Sequence, residues 1–243
     1  MEDFFKGIAD SFTKTFITED RWLMILDGLW TTLQITFFAL IIGLVLGFLI
    51  AIIRSTYDIN LKGKKSKRLS DYILKVLNFI CNIYITVIRG TPMVVQLMIM
   101  YFIVFTSSRN GMVAACLSFG INSGAYVAEI MRSGIMSIDK GQFEASRSIG
   151  FDYKRTMVLI ILPQALKNVL PALANEFIVL LKETSVAGYV AIQDLTYVGN
   201  LIRSRTYEAF FPLITVALIY LVIVMILSFF LKKLERRLRN SEH

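Results

Sequence analysis

The sequence predicts an all-α integral membrane protein with five transmembrane helices. Three observations carry this. First, the 243-residue chain is 56% hydrophobic with a mean hydropathy of +0.62, above the roughly 45–50% apolar share of soluble domains. Second, the excess is gathered into several apolar runs, near the ~20 residues a helix needs to cross a bilayer. Third, those runs lack the period-2 alternation of a barrel strand. Helices and closed barrels are the two ways a backbone pairs its own polar groups in lipid. No internal repeat or separate soluble domain stands out, so residues 1–243 read as one transmembrane domain.

The elements follow in order. Met1–Trp22 is mixed and amphipathic, without the basic start and short apolar core of a cleaved signal peptide. The first span is expected over 29–53; Gly43 and Gly47 lie four apart within it. That spacing suits close helix approach, and equally a tolerant membrane helix. Residues 54–70 hold Arg54, Lys62, Lys64, Lys65, Lys67 and Arg68 against Asp58 alone. Such a loop belongs inside the membrane-bounded compartment and also fits an anionic-lipid patch. Residues 72–89 are apolar on average, but Lys75, Asn78, Asn82, Thr86 and Arg89 fall on one helical face. That stripe predicts an interfacial helix lying on the cytoplasmic surface. The second span is expected over 91–107, with Pro92 in its first turn. Ser107–Gly111 is a turn, and 112–131 is the third span. Residues 132–155 form a polar loop, 163–183 the fourth span and 210–231 the fifth, followed by a basic tail.

Charge orients this arrangement. Residues 1–27 hold six acids (Glu2, Asp3, Asp10, Glu19, Asp20, Asp27) and three bases (Lys6, Lys14, Arg21). The first loop, the 132–155 loop and the tail are each net basic. The rule that basic loops stay inside therefore puts the N-terminus outside and the C-terminus in the cytoplasm. The net charge of +8 follows from these loops and gives no reason to expect nucleic acid. Cys81 and Cys116 sit in apolar surroundings, and the lone histidine is His243. No metal site is expected from that set.

One stretch breaks the pattern. Gln142-Phe143-Glu144-Ala145-Ser146-Arg147-Ser148-Ile149-Gly150 is followed by Ile160-Ile161-Leu162-Pro163. It resembles the Glu-Ala-Ala…Gly…Ile-x-Leu-Pro signature of ABC importer permeases, with Ser146 where that family usually has Ala. Gly28–Leu33, Tyr84–Leu97 (YITVIRGTPMVVQL), Asn122–Arg132, Pro163-Gln164-Ala165 and Lys182-Glu183-Thr184-Ser185 are similar to further motifs of the histidine/arginine/glutamine permease subfamily, in the same order. That subfamily more often has Asp at position 183. The resemblance implies a type I ABC importer permease fold in a bacterial cytoplasmic membrane. It implies a dimer with a second permease, the same or related, two cytoplasmic ATPase subunits and an extracytoplasmic amino acid-binding protein. ATP and Mg then belong to the partner, with no cofactor in this chain.

The resemblance also makes the 132–155 loop a coupling helix that docks on the ATPase, carried by Gln142, Glu144, Ala145, Ser146, Gly150, Leu162 and Pro163. The residues suit that role. Glu144–Arg147 are helix formers, and Gly150 can supply a left-handed cap. The other candidates come from the cost of polar groups in lipid. Asn122, Tyr126 and Glu129 share one face of the third span. Asn122 and Tyr126 read as substrate-path residues; Glu129 also fits a plain ion pair with Arg89 or Arg132. Glu183, at the outer end of the fourth span, suits a substrate ammonium or an ion pair with a neighbour. Gln96 is a further candidate. The leading function is thus a permease subunit importing polar amino acids on a partner's ATP hydrolysis. It is not itself an enzyme, since no GxxxxGK[ST] phosphate loop occurs. A secondary transporter or channel would call for inverted repeats. A membrane-embedded hydrolase would need a nucleophile–base pair that is not evident.

Overall fold

A computed structural model of the chain describes residues 2–63, 65, 68–106 and 111–240. The expected turn at Ser107–Asn110, Lys64, Lys67 and His243 lie outside the described residues. The α-helices are α1 (Glu2–Phe12), α2 (Arg21–Asn60), α3 (Leu69–Gly90), α4 (Met93–Ile99), α5 (Gly111–Met136), α6 (Lys140–Ser148), α7 (Tyr153–Thr156), α8 (Leu162–Glu183), α9 (Leu195–Thr206) and α10 (Phe210–Asn240). Among the described residues there is no strand. The chain divides into two units, and the divisions fall inside α2, α5, α8 and α10 and between α3 and α4.

Five helical segments are long and apolar enough to cross a membrane: 9–60, 69–90, 111–136, 153–190 and 210–237. The number agrees with expectation, but one member differs. The expected second span, 91–107, contains only α4 and a π-helical turn over Met100–Val104. At 1.5 Å per residue, 93–104 extends roughly 18 Å, short of a ~30 Å hydrocarbon core. The expected interfacial helix 72–89 is instead the 22-residue α3, about 33 Å long. Its large exposed side chains include Ile73, Val76, Phe79, Ile80 and Ile83; of the polar stripe, Lys75, Asn78 and Asn82 are half-buried, while Thr86 and Arg89 near the C-terminal end are exposed. A surface helix turns its polar stripe to water. Here the first three stripe residues are half-buried and the apolar face is outward, the pattern of a lipid-facing span. Thr91 then adopts an extended backbone (φ −120°, ψ 146°), as a residue before proline must, and the helix breaks.

One unit comprises residues 40–92, 120–177 and 231–243. Its packing centres on α5, which is lined with small residues. A Cβ added at Gly43 would meet Ser123 at 3.1 Å, and one at Gly47 would meet Val127 at 2.5 Å. The Gly43/Gly47 pair therefore serves close approach. On another side Ile50, Cys81, Ile85, Ala125 and Ala128 form a core, and the Tyr84 hydroxyl donates to the Ile121 carbonyl at 2.5 Å. α8 approaches where Val169 lies against Gly134. The helix α2 continues past its expected end at residue 53 because its polar turns are paired. Arg54 binds Glu129, and Asp58 accepts from Arg132 at 2.7 Å. The same pair keeps Arg132 inside α5, so the expected loop 132–155 is narrower, with helices within it.

The other unit comprises residues 1–39, 93–119 and 178–230. Its core joins Ile25 of α2, Leu195, Val198 and Ile202 of α9, and Val216 of α10. Phe12, Phe16 and Phe211 cluster with centroids 4.8–6.4 Å apart, Phe211 edge to face with the other two. Only 6% of the most apolar stretch of α10 is buried, against 67% for α5. α10 thus presents its hydrophobic surface outward, which is stable only in lipid or against another apolar face.

Candidate functional site

The signature segment is built from caps. α5 ends at Met136, and the Asp139 carboxylate accepts from the Gly141 N–H at 2.7 Å, capping α6. At the far end the Gly150 N–H donates to the Arg147 carbonyl at 3.0 Å, and the Phe151 N–H reaches back to Ser146 at 3.0 Å. That pair of bonds is a Schellman ending, with Gly150 left-handed at φ +88°. Asp152 then caps α7 through the Arg155 N–H at 2.7 Å. Two successive helices are thus started by Asp, with one glycine among the four residues between them.

α6 is held by one side only. Ser146 is buried, its hydroxyl returned to the Gln142 carbonyl at 2.5 Å. Serine at this position fits because the hydroxyl finds a partner within its own helix. Phe143 packs on a core of Ile135, Ile138, Met157, Ile161 and Ala165, which Leu162 also joins. Gln142 meets the Gln164 amide at 3.5 Å, beside the exposed Pro163. The opposite face is open: Glu144, Ala145, Arg147 and Ser148 are exposed, and Ile149 is 70% exposed. A groove of about 410 Å³ runs between α6 and the end of α2 at Asp58–Asn60. Between α7 and α8 the chain makes a π-turn over Met157–Ile161, a feature that recurs at functional sites.

In the same unit lie Asn122, Tyr126 and Glu129. Asn122 is buried at 3% exposure. Beside it the buried Ser123 hydroxyl donates to Glu176 of α8 at 3.0 Å. Tyr126 lies under Arg89, with 5.1 Å from the guanidinium carbon to the ring centroid. Glu129 binds Arg54 and, at 3.4 Å, Arg89. The ion-pair alternative for Glu129 is therefore met by Arg89 and Arg54, with Arg132 engaged by Asp58 instead. Two cations on one carboxylate neutralise it in place, which suits a fixed cross-brace between α2, α3 and α5.

Gln96 and Glu183 belong to the other unit, both half-buried. α4, which carries Gln96, packs against the 3₁₀ turn Thr184–Val190 that directly follows Glu183. Sequence reasoning passed over a polar centre in the same unit. Asp194 is fully buried and caps α9 through the N–H groups of Thr196 at 2.9 Å and Tyr197 at 3.1 Å. The Leu195 N–H donates to the Thr32 hydroxyl at 3.1 Å. Asp194 lies between the fourth and fifth spans, and burial pushes its pKa up to about 6 against the opposing pull of those N–H donors. An Asp before an amphipathic dozen residues was the available sign.

The comparisons agree with this architecture. Residues 71–240 match the model of the family described as binding-protein-dependent transport system inner membrane component. A Rickettsia typhi protein named as glutamine transport system permease protein GlnP is 36% identical, over 89% of this chain and 93% of that protein. The arginine transport system permease protein ArtQ of Bacillus subtilis is 37% identical over 90% and 94%. A chain from the crystal structure of an amino acid ABC transporter with histidines superposes with TM-score 0.77 at 38% identity, covering 91% of this chain and 98% of that one. The methionine ABC transporter MetNI in an inward-facing form shares the fold alone, with TM-score 0.75 at 21% identity. By sequence model, relatives and fold, the chain belongs to the family of binding-protein-dependent transport system inner membrane components.

Proposed function

We propose that this permease imports polar amino acids, and that α6 is the coupling helix through which a partner ATPase drives it. The observation that carries the reading is the one-sided α6. It is capped at both ends, anchored by Phe143 with Ser146 buried on the same side, and open along Glu144, Ala145, Ser148 and Ile149. A short rigid helix with an exposed face that includes a bare isoleucine suits docking and the transmission of force. The amino acid substrate is supported by the names of the relatives, and the polar class by the buried Asn122 amide and the Ser118 and Ser123 hydroxyls on α5. In this reading ATP and Mg are held by the partner. A second permease and an extracytoplasmic binding protein complete the importer.

The N-terminus lies outside and the C-terminus inside. The second crossing runs through α3, so loop 61–68 and α6 share the cytoplasmic side. This orientation rests on the charge bias of the loops. Asn122 and Tyr126 on α5, and separately Gln96 and Glu183, contribute polar lining to the path, whereas Glu129 braces it.

Gly150→Val tests the coupling role. A β-branched residue at φ +88° is strained whatever the surrounding space. Nothing lies within 4 Å of an added Cβ there, so the damage is confined to the end of α6. Uptake and substrate-stimulated ATP hydrolysis by the reconstituted complex should fall at least tenfold, with normal membrane insertion. Wild-type uptake by this variant would remove α6 from the coupling path.

A further inference from the structure

The junction between the basic loop and α3 forms a site that the transport reading does not use. A groove of about 730 Å³ opens there, with Asn60, Lys65, Arg68, Ser70 and Asp71 among its lining and Leu74 at its apolar end. The Asp71 carboxylate already accepts the Arg68 backbone N–H at 3.1 Å and caps α3. Asp71 keeps its charge in that bond, so among the described residues the groove offers two cations, Lys65 and Arg68, against one carboxylate. The positive end of the 22-residue α3 helix dipole adds to them. Beside the groove, Leu69, Tyr72 and Ile73 are 77%, 58% and 53% exposed. Cations and hydroxyls thus meet a bare apolar helix face within one turn. A free phosphate would need only the first half of that arrangement. A molecule with a phosphate at one end and acyl chains at the other uses both.

We propose that this groove binds the headgroup of an anionic glycerophospholipid of the inner leaflet, with its acyl chains along the exposed face of α3. Lys65 and Arg68 contact the phosphate, and Ser70 and Asn60 supply hydrogen-bonding groups for the glycerol. The inference rests on the proposed placement of loop 61–68 at the cytoplasmic surface.

The purified transporter complex in detergent, titrated with phosphatidylglycerol or phosphatidylcholine and read by native mass spectrometry, tests it. Phosphatidylglycerol should bind at least tenfold tighter. Lys65→Gln and Arg68→Gln should each weaken it about fivefold, and together roughly thirtyfold, on the usual contribution of a cation near an anionic surface. The charge-preserving pair Lys65→Arg with Arg68→Lys should bind within about twofold of wild type, which separates lost charge from lost folding. Lys233→Gln, in the basic tail, should change nothing. Equal binding of the two lipids, or wild-type binding by the double Gln variant, overturns the proposal. Displacement of the lipid by glycerol phosphate at equal concentration assigns the groove to a free anion and overturns it as well. A cysteine at position 65 labelled from outside intact cells would overturn the orientation and the leaflet, but leave the detergent affinities standing. The two failures are therefore distinguishable.

Discussion

The two connectors that join long helices in the second half of the chain make an instructive pair. Residues 137–152 and 191–209 each hold one regular helix started by an aspartate, Asp139 for α6 and Asp194 for α9. Both helices end in a left-handed residue, Gly150 at φ +88° and Tyr207 at φ +59°. Their surroundings are opposite. α9 buries Leu195, Val198, Gly199, Ile202 and Thr206, whereas α6 buries only Ser146. The same local grammar therefore builds a piece of core in one unit and a presented surface in the other. What separates them is the spacing of apolar residues, not the caps. α9 has apolar positions at one-turn intervals; α6 has one aromatic and otherwise polar or small residues.

The difference can be pressed with a matched pair of truncations. Ile202→Ala removes a fully buried side chain and should cost about 2–5 kcal/mol. Thermal unfolding of the solubilised protein should then fall by several degrees or more. Ile149→Ala removes a side chain of the same size that is 70% exposed. Stability should stay within about 0.5 kcal/mol, while substrate-stimulated ATP hydrolysis drops. If Ile149→Ala unfolds the protein as readily as Ile202→Ala, the contrast between core and presented surface fails.

The two caps should also differ with pH. Asp139 is exposed; Asp194 is buried with a pKa of about 6, above its ordinary 3.8. A raised carboxyl pKa means that the fold favours the protonated form. Its stabilising effect is complete below pH 4 and is lost as pH rises through about 6. Asn caps a helix as well as Asp but carries no charge. The melting temperature of wild type relative to Asp194→Asn should therefore increase as pH falls from 7 to 4.5, by at most about 3 kcal/mol in stability. A constant difference over that window would show that Asp194 does not titrate there.

The smallest expected effect is at the C-caps. Tyr207 is 94% exposed in a left-handed conformation, a strain that packing of α9 maintains. Tyr207→Gly relieves it at the cost of chain entropy, so stability should change by less than about 1 kcal/mol. The reverse type of change at Gly150 is the severe one. A large loss of stability in Tyr207→Gly would mean that the tyrosine ring, not the backbone, ends α9.

The sequence by itself determined the class of the molecule. Apolar runs without alternation admit helices in lipid, and the order of motifs fixed the family likeness. Gly150 and the polar face of α6 were legible because caps and turns are written in consecutive residues. Tertiary structure decided three other things. It decided that Lys75, Asn78 and Asn82 of the stripe are half-buried, and that α3 has membrane length and a largely apolar exterior while 93–104 stays short. Periodicity reports that a face is polar, not what that face meets. It decided that Glu129 binds Arg54, seventy-five positions away, and that Arg132 belongs to Asp58. It also made Asp194 a buried carboxylate. Pairings and burial of this kind depend on which helices become neighbours, and the packing of small residues on α2, α5 and α8 settles that, where no single stretch of sequence can.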